Sequence, residues 1–68
     1  MVKYVLITDD PRRLRHLHAE PVDWYETEFP SAAAALAWER TRQAEGAVAL
    51  ESQGWKFGCV FSAPPPSA

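Results

Sequence analysis

Apolar and polar positions change their spacing along this chain, and each change marks the start or end of an element. Residues 2–8, VKYVLIT, are a continuous run rich in β-formers. A run this short with apolar residues on both faces predicts a strand inside a sheet. Asp9-Asp10-Pro11 stops it, and Asp10 before Pro11 suits a helix N-cap with proline at the first helical position. Residues 11–18 then predict a short helix of about two turns, with Leu14 and Leu17 inward. A structured loop is the competing reading.

Alternation returns at residues 22–29 and predicts a second strand. Tyr25, Thr27 and Phe29 share one face, read as core. Val22, Trp24, Glu26 and Glu28 share the other, read as wet and acidic. Pro30-Ser31 opens the main helix over residues 31–45, with Ser31 as N-cap and Gly46 at the C′ position. At about 100° per residue, Ala33, Ala37, Thr41 and Ala44 form a narrow stripe between Leu36 and Trp38. That stripe is assigned to the sheet. Glu39, Arg42 and Gln43 are assigned to solvent, and Arg40, near the stripe, snorkels out along its stem. Residues 47–51 predict a short strand, Ser52-Gln53-Gly54 a turn, and residues 55–61 the partner strand of a hairpin. In that last strand Trp55, Phe57, Cys59 and Phe61 share the face assigned to the core beneath the helix. Residues 63–68, APPPSA, predict a disordered, polyproline-like tail.

These elements predict an α+β fold: about four strands in a mainly antiparallel sheet, one long helix (31–45) on one face, and a short helix at 11–18. The 68 residues allow one compact domain, 1–62, with the tail outside it. A domain of this size buries only about 60% of the surface its unfolded chain exposes. Pairing through the edge of the first or last strand, as a homodimer, is one remedy. Three Trp, three Phe and two Tyr supply large packing units.

Charge narrows the function classes. Seven basic and nine acidic residues leave a net −2, against the basic footprint of a general nucleic-acid binder. The charges are segregated: residues 12–18 carry Arg12, Arg13, Arg15, His16 and His18 and no acid. Residues 20–28 carry Glu20, Asp23, Glu26 and Glu28 and no base, around Trp24 and Tyr25. Segregation of this kind suits recognition of a charged partner. The single cysteine, Cys59, excludes an internal disulfide and points to a reducing, cytoplasmic setting. The start, MVKYVLITDD, reads as neither signal peptide nor membrane span.

Candidate chemistry is sparse. Asp9-Asp10 after a buried strand is reminiscent of the acidic pair of phospho-acceptor receiver domains. That fold needs about five βα units and the chain is too short, so the pair is read as strand stop and helix cap. His16 and His18 lie about 200° apart on a helix and do not converge on one ion. Cys59 reads as a packing thiol. No catalytic residue, metal ligand or cofactor is assigned. Trp24 and Trp38, each beside charged residues, are the candidate interface anchors.

The pieces KYVLIT, DWYETEF, SAAAALAWERTRQAEG and AVALESQGWKFGCVF give a strand, an acidic strand, a Ser-capped helix and a hairpin with tryptophan after a glycine turn. In size and element order this resembles small phage-borne inhibitor proteins of the anti-CRISPR type. The resemblance spans most of the chain and rests on architecture, so it transfers no residue. It implies stoichiometric inhibition by occupying surfaces that effector subunits use for DNA or for each other. The same order is similar to that of β-grasp interaction modules.

The expectation is a non-enzymatic binding protein that inhibits or modulates a larger partner. Trp24, Glu26, Glu28 and Trp38 are the partner-binding residues. The partner is a protein with a basic surface, such as a nucleic-acid-binding effector complex, and not a membrane. The alternative is a weak nucleic-acid-binding regulator using Arg12, Arg13 and Arg15.

Overall fold

The computed structural model describes residues 1–50 and 53–65. Its elements run β1 (Val2–Thr8), α1 (Pro11–Leu17), β2 (Tyr25–Glu28), α2 (Ala32–Ala44), β3 (Val48–Ala49) and β4 (Phe57–Ala63). The fold is α+β, with a four-stranded mixed sheet ordered β2-β4-β1-β3 and two helices. β4 lies antiparallel between β1 and β2, and β3 runs parallel to β1 on its other side.

β1 is interior as its pattern requires, with Tyr4 to Thr8 all buried. The segment after it is helical because its first turn is satisfied. The Asp10 side chain accepts the Arg13 N–H at 3.2 Å, and Pro11 opens the helix with a residue that has no N–H to satisfy. α2 starts the same way, with Ser31 Oγ accepting the Ala34 N–H at 3.2 Å, and ends before Gly46 at φ +104°.

The expected hairpin of residues 47–61 does not form. β4 pairs with β1 over seven residues, from Val2↔Ala63 to Thr8↔Phe57, and β3 adds only two residues to the far side of β1. The long antiparallel ladder satisfies far more backbone than a two-residue hairpin would. The sheet edges are therefore β2 and β3, not the first or last strand. Residues 51–52 of the expected turn, and residues 66–68 of the expected tail, lie outside the described residues. β4 itself continues to Ala63.

The sheet is covered on both faces. On one face Tyr4, Leu6, Cys59 and Phe61 form the main core with Leu14 of α1, and Val2, Trp24, Leu50 and Ala63 pack around it. The opposite face carries α2. A Cβ added at Gly58 would stand 2.5 Å from the Trp38 ring, so Trp38 lies on Gly58. Ile7 and Val60 share that side through the Ile7↔Gly58 and Val5↔Val60 register. The aromatic alternation of β4 thus sits beneath α1, not beneath the long helix. The face left for α2 is the one bearing glycine, where a helix and two rings can approach closely.

α2 is also turned the other way. Ala35 is its buried residue and Trp38, Glu39 and Arg42 are half-buried. The expected inner positions Ala33, Ala37, Thr41 and Ala44 are exposed, and Leu36 is 46% exposed. The Ala-rich helix has too little amphipathic contrast to orient itself. The orienting contact is Trp38, whose ring lies 5.3 Å from Phe29 and carries Arg42 above it at 5.7 Å.

Candidate interaction face

The charge switch of residues 12–28 folds into α1, a strained turn, and the edge strand β2. α1 begins at Asp10 and ends at His18, whose N–H is donated to the Leu14 carbonyl at 3.0 Å. Ala19 (φ 63°) and Glu20 (φ 48°) follow in the left-handed region, and the Glu20 N–H closes on the Arg15 carbonyl at 2.9 Å. Two consecutive non-glycine residues there carry backbone strain, of order 1–2 kcal/mol each. The His18 ring, at the end of the helix just before this turn, packs 4.9 Å from Phe61.

β2 is shorter than the alternation of residues 22–29 suggests. Before it, Asp23 bends out of the strand and its Oδ1 accepts the Ser62 N–H at 3.0 Å, replacing a ladder bond. That bond holds the Asp23 carboxyl below its ordinary value. Within β2 the register Glu26↔Cys59 and Glu28↔Phe57 places both glutamates on the α1 side, and Tyr25 and Thr27 on the α2 side. Glu26 acts through space on the Cys59 thiol. Burial first, and this negative charge second, push that thiol up to about 12, in keeping with the packing role read from the sequence.

The four residues expected to bind a partner therefore separate. Trp24 is stacked on Phe61 at 5.2 Å, half-buried in the main core, with its Nε1 lacking a hydrogen-bond partner among the described residues. Trp38 lies on the opposite face of the sheet. Glu26 and Glu28 remain exposed at the β2 edge. Tyr25, expected in the core, is 57% exposed at the same edge, where β4 opposite it offers Val60.

All three arginines of α1 are exposed. Arg13 is engaged, 4.0 Å from Asp10 and donating to Gln53 Oε1 at 2.8 Å. Arg12 and Arg15 make no ion pair among the described residues, and neither do Glu26 and Glu28. Leu14 packs with Cys59, so α1 lies on the side of the sheet to which Glu26 and Glu28 point. Basic helix and acidic strand thus share one side of the sheet.

Two grooves escaped the sequence reading. One, of about 270 Å³, is lined by Tyr4, His18, Leu50, Phe61, Ala63 and Pro64. The other, of about 390 Å³, adjoins it past His18 toward Met1, Val22 and Asp23. Both depend on His18, at the end of α1, lying on Phe61, a contact between distant residues that no local pattern announces. Among the described residues no group of three His, Cys, Asp or Glu side chains is placed to hold a metal ion. No described helix is long and apolar enough to cross a membrane. Comparison with protein-family models, with curated proteins and with solved structures finds no match.

Proposed function

We propose that this chain is a binding protein that acts by contact rather than catalysis, docking the acidic edge strand β2 on a basic surface of a larger partner. The observation that carries this reading is that β2 is a sheet edge whose glutamates are exposed and unpaired among the described residues. An edge strand offers unpaired backbone N–H and C=O groups to an added strand. A partner segment laid along β2 would meet Glu26 and Glu28 on one side and Tyr25 on the other. Its chemistry is then basic residues alternating with apolar ones. Tyr25 replaces Trp24 as the aromatic anchor, since Trp24 is committed to the core. A surface that otherwise holds nucleic-acid phosphates has the required sign, which agrees with stoichiometric inhibition of a nucleic-acid-binding effector.

The test is binding to surface-coupled poly-lysine at low salt. Glu26→Gln/Glu28→Gln weakens retention far more than the equal charge change Glu39→Gln/Glu45→Gln on α2. Equal losses from both pairs would refute the docking face.

A further inference from the structure

We propose that the side of the sheet bearing α1 and the β2 glutamates is self-complementary and pairs with a second copy across a two-fold axis. Arg12 and Arg15 of each copy then face Glu26 and Glu28 of the other. The inference deepens the preceding reading, from which it takes the acidic side of β2 as a docking surface, and names one basic surface that this side meets.

Folding leaves several charges without an ion-pair partner among the described residues. The ion pairs among the described residues are local: Arg13 with Asp10, His16 with Glu20 at 3.9 Å, and Arg42 with Glu45 at 3.0 Å. None joins α1 to β2. At about 100° per residue, Arg12, Arg15 and His16 point away from the buried Leu14. Arg13, tied to Gln53 beside β1, marks the α1 flank nearer β3. Arg15, about 200° round from Arg13, marks the flank nearer β2. A basic row and an acidic row therefore run side by side on one surface, without cancelling inside the chain.

Two-fold symmetry converts that arrangement into an interface. An isologous contact makes every pairing twice, residue i on j and j on i. Rotating one copy about an axis between α1 and β2 sets each helix over the other copy's acidic strand. Val22, fully exposed in the connection between the two elements, adds an apolar side chain at the end of the rows nearest Ala63. The other edge-to-edge route, β2 on β2, brings Glu26 and Glu28 against their own copies and is opposed by like charge. Exposed ion pairs are individually weak, so the association depends on protein concentration and on salt.

A charge-swap experiment tests this. Molar mass is measured by light scattering at high protein concentration, in 50 mM and 500 mM salt, with far-UV circular dichroism confirming that every variant folds. The wild type shifts toward twice the monomer mass at low salt, and its dissociation constant rises about tenfold or more at high salt. Arg12→Glu/Arg15→Glu and Glu26→Lys/Glu28→Lys are each monomeric alone. Mixed in equal amounts they recover the dimer mass, because each two-fold contact is again between opposite charges. The fourfold variant also dimerises alone. A wild type that stays monomeric at low salt would overturn the inference, as would a dimer indifferent to either reversal or a mixture that does not associate. A monomer whose poly-lysine binding still depends on Glu26 and Glu28 would sink the pairing and leave the docking face standing. A charge-swappable dimer with no such binding would do the opposite.

Discussion

Gly58→Ala is the substitution that most directly tests how α2 meets the sheet. Gly58 is buried in β4 opposite Ile7 and carries no left-handed φ, so alanine fits its backbone. The obstacle is space: the new Cβ would lie 2.5 Å from Trp38 Cζ3 and 2.7 Å from Phe29 Cε2 and Cζ. Ordinary contact begins near 3.4 Å, so both rings must retreat by most of an ångström. Both are half-buried and can move outward, at the expense of the Arg42 guanidinium over Trp38. Overpacking of this kind costs about 1–3 kcal/mol. Replacing glycine returns about 0.4–1 kcal/mol by narrowing the unfolded ensemble. The net loss is about 1–2 kcal/mol, a fall in Tm of about 4–16 °C for a domain this small. Urea unfolding followed by far-UV circular dichroism measures it without depending on tryptophan emission. A cycle with Trp38→Leu separates clash from propensity, because the smaller side chain makes room for the new methyl group. Combined with Trp38→Leu, Gly58→Ala should lose the part of its cost that comes from the indole and keep the smaller part that comes from Phe29. Equal losses from Gly58→Ala in both backgrounds would refute the packing of Trp38 on Gly58, and with it the orientation of α2.

Three further outcomes follow from other parts of the fold. Ala19→Gly relieves a φ of 63° and should raise stability by about 0.5–1 kcal/mol after the entropic offset, or about 2–8 °C in Tm; a loss would show that the turn is not left-handed. Asp9 sits below its ordinary value of 3.8 because its carboxylate accepts the N–H groups of Trp55 and Lys56, so its contribution is present above 3.8 and is lost as the pH falls from there through the lower folded value. Asp9→Asn should therefore lower Tm at pH 7 and flatten its decline between about pH 5 and pH 2, and parallel curves for variant and wild type would exclude the bond. Cys59, with its thiol at about 12 and no exposed surface, should react with iodoacetamide at pH 8 at least about a hundredfold more slowly than the unfolded chain; rapid labelling of folded protein would contradict its burial.

Much of the fold was legible because local physics carries it. β1 was readable from an apolar run, α1 from Asp10 and Pro11, and α2 from Ser31, Gly46 and the helix formers between them. The alternation of residues 57–61 correctly separated Phe57, Cys59 and Phe61 from Gly58 and Val60. Part of the candidate site was legible in the same way, since Glu26 and Glu28 are indeed exposed on one side of β2. Trp24 was misplaced because residues 22–24 leave the strand when Asp23 turns to the Ser62 N–H, and the indole then stacks on Phe61.

By itself the sequence determined where the two helices begin and end and which residues of β1, β2 and β4 alternate, since caps, prolines and side-chain periods act within a few residues. It also determined the sharp division of charge between residues 12–18 and 20–28. Tertiary structure alone decided which face of β4 each helix covers, which side of α2 turns inward, and that β4 enters between β1 and β2. Those choices rest on contacts between distant residues: Trp38 with Gly58, Phe61 with Trp24 and His18, and the seven-residue ladder of β1 with β4. They also set the basic helix and the acidic strand on one side of the sheet rather than on opposite sides. A charge pattern along a chain says nothing of direction in space until packing has oriented the elements that bear it.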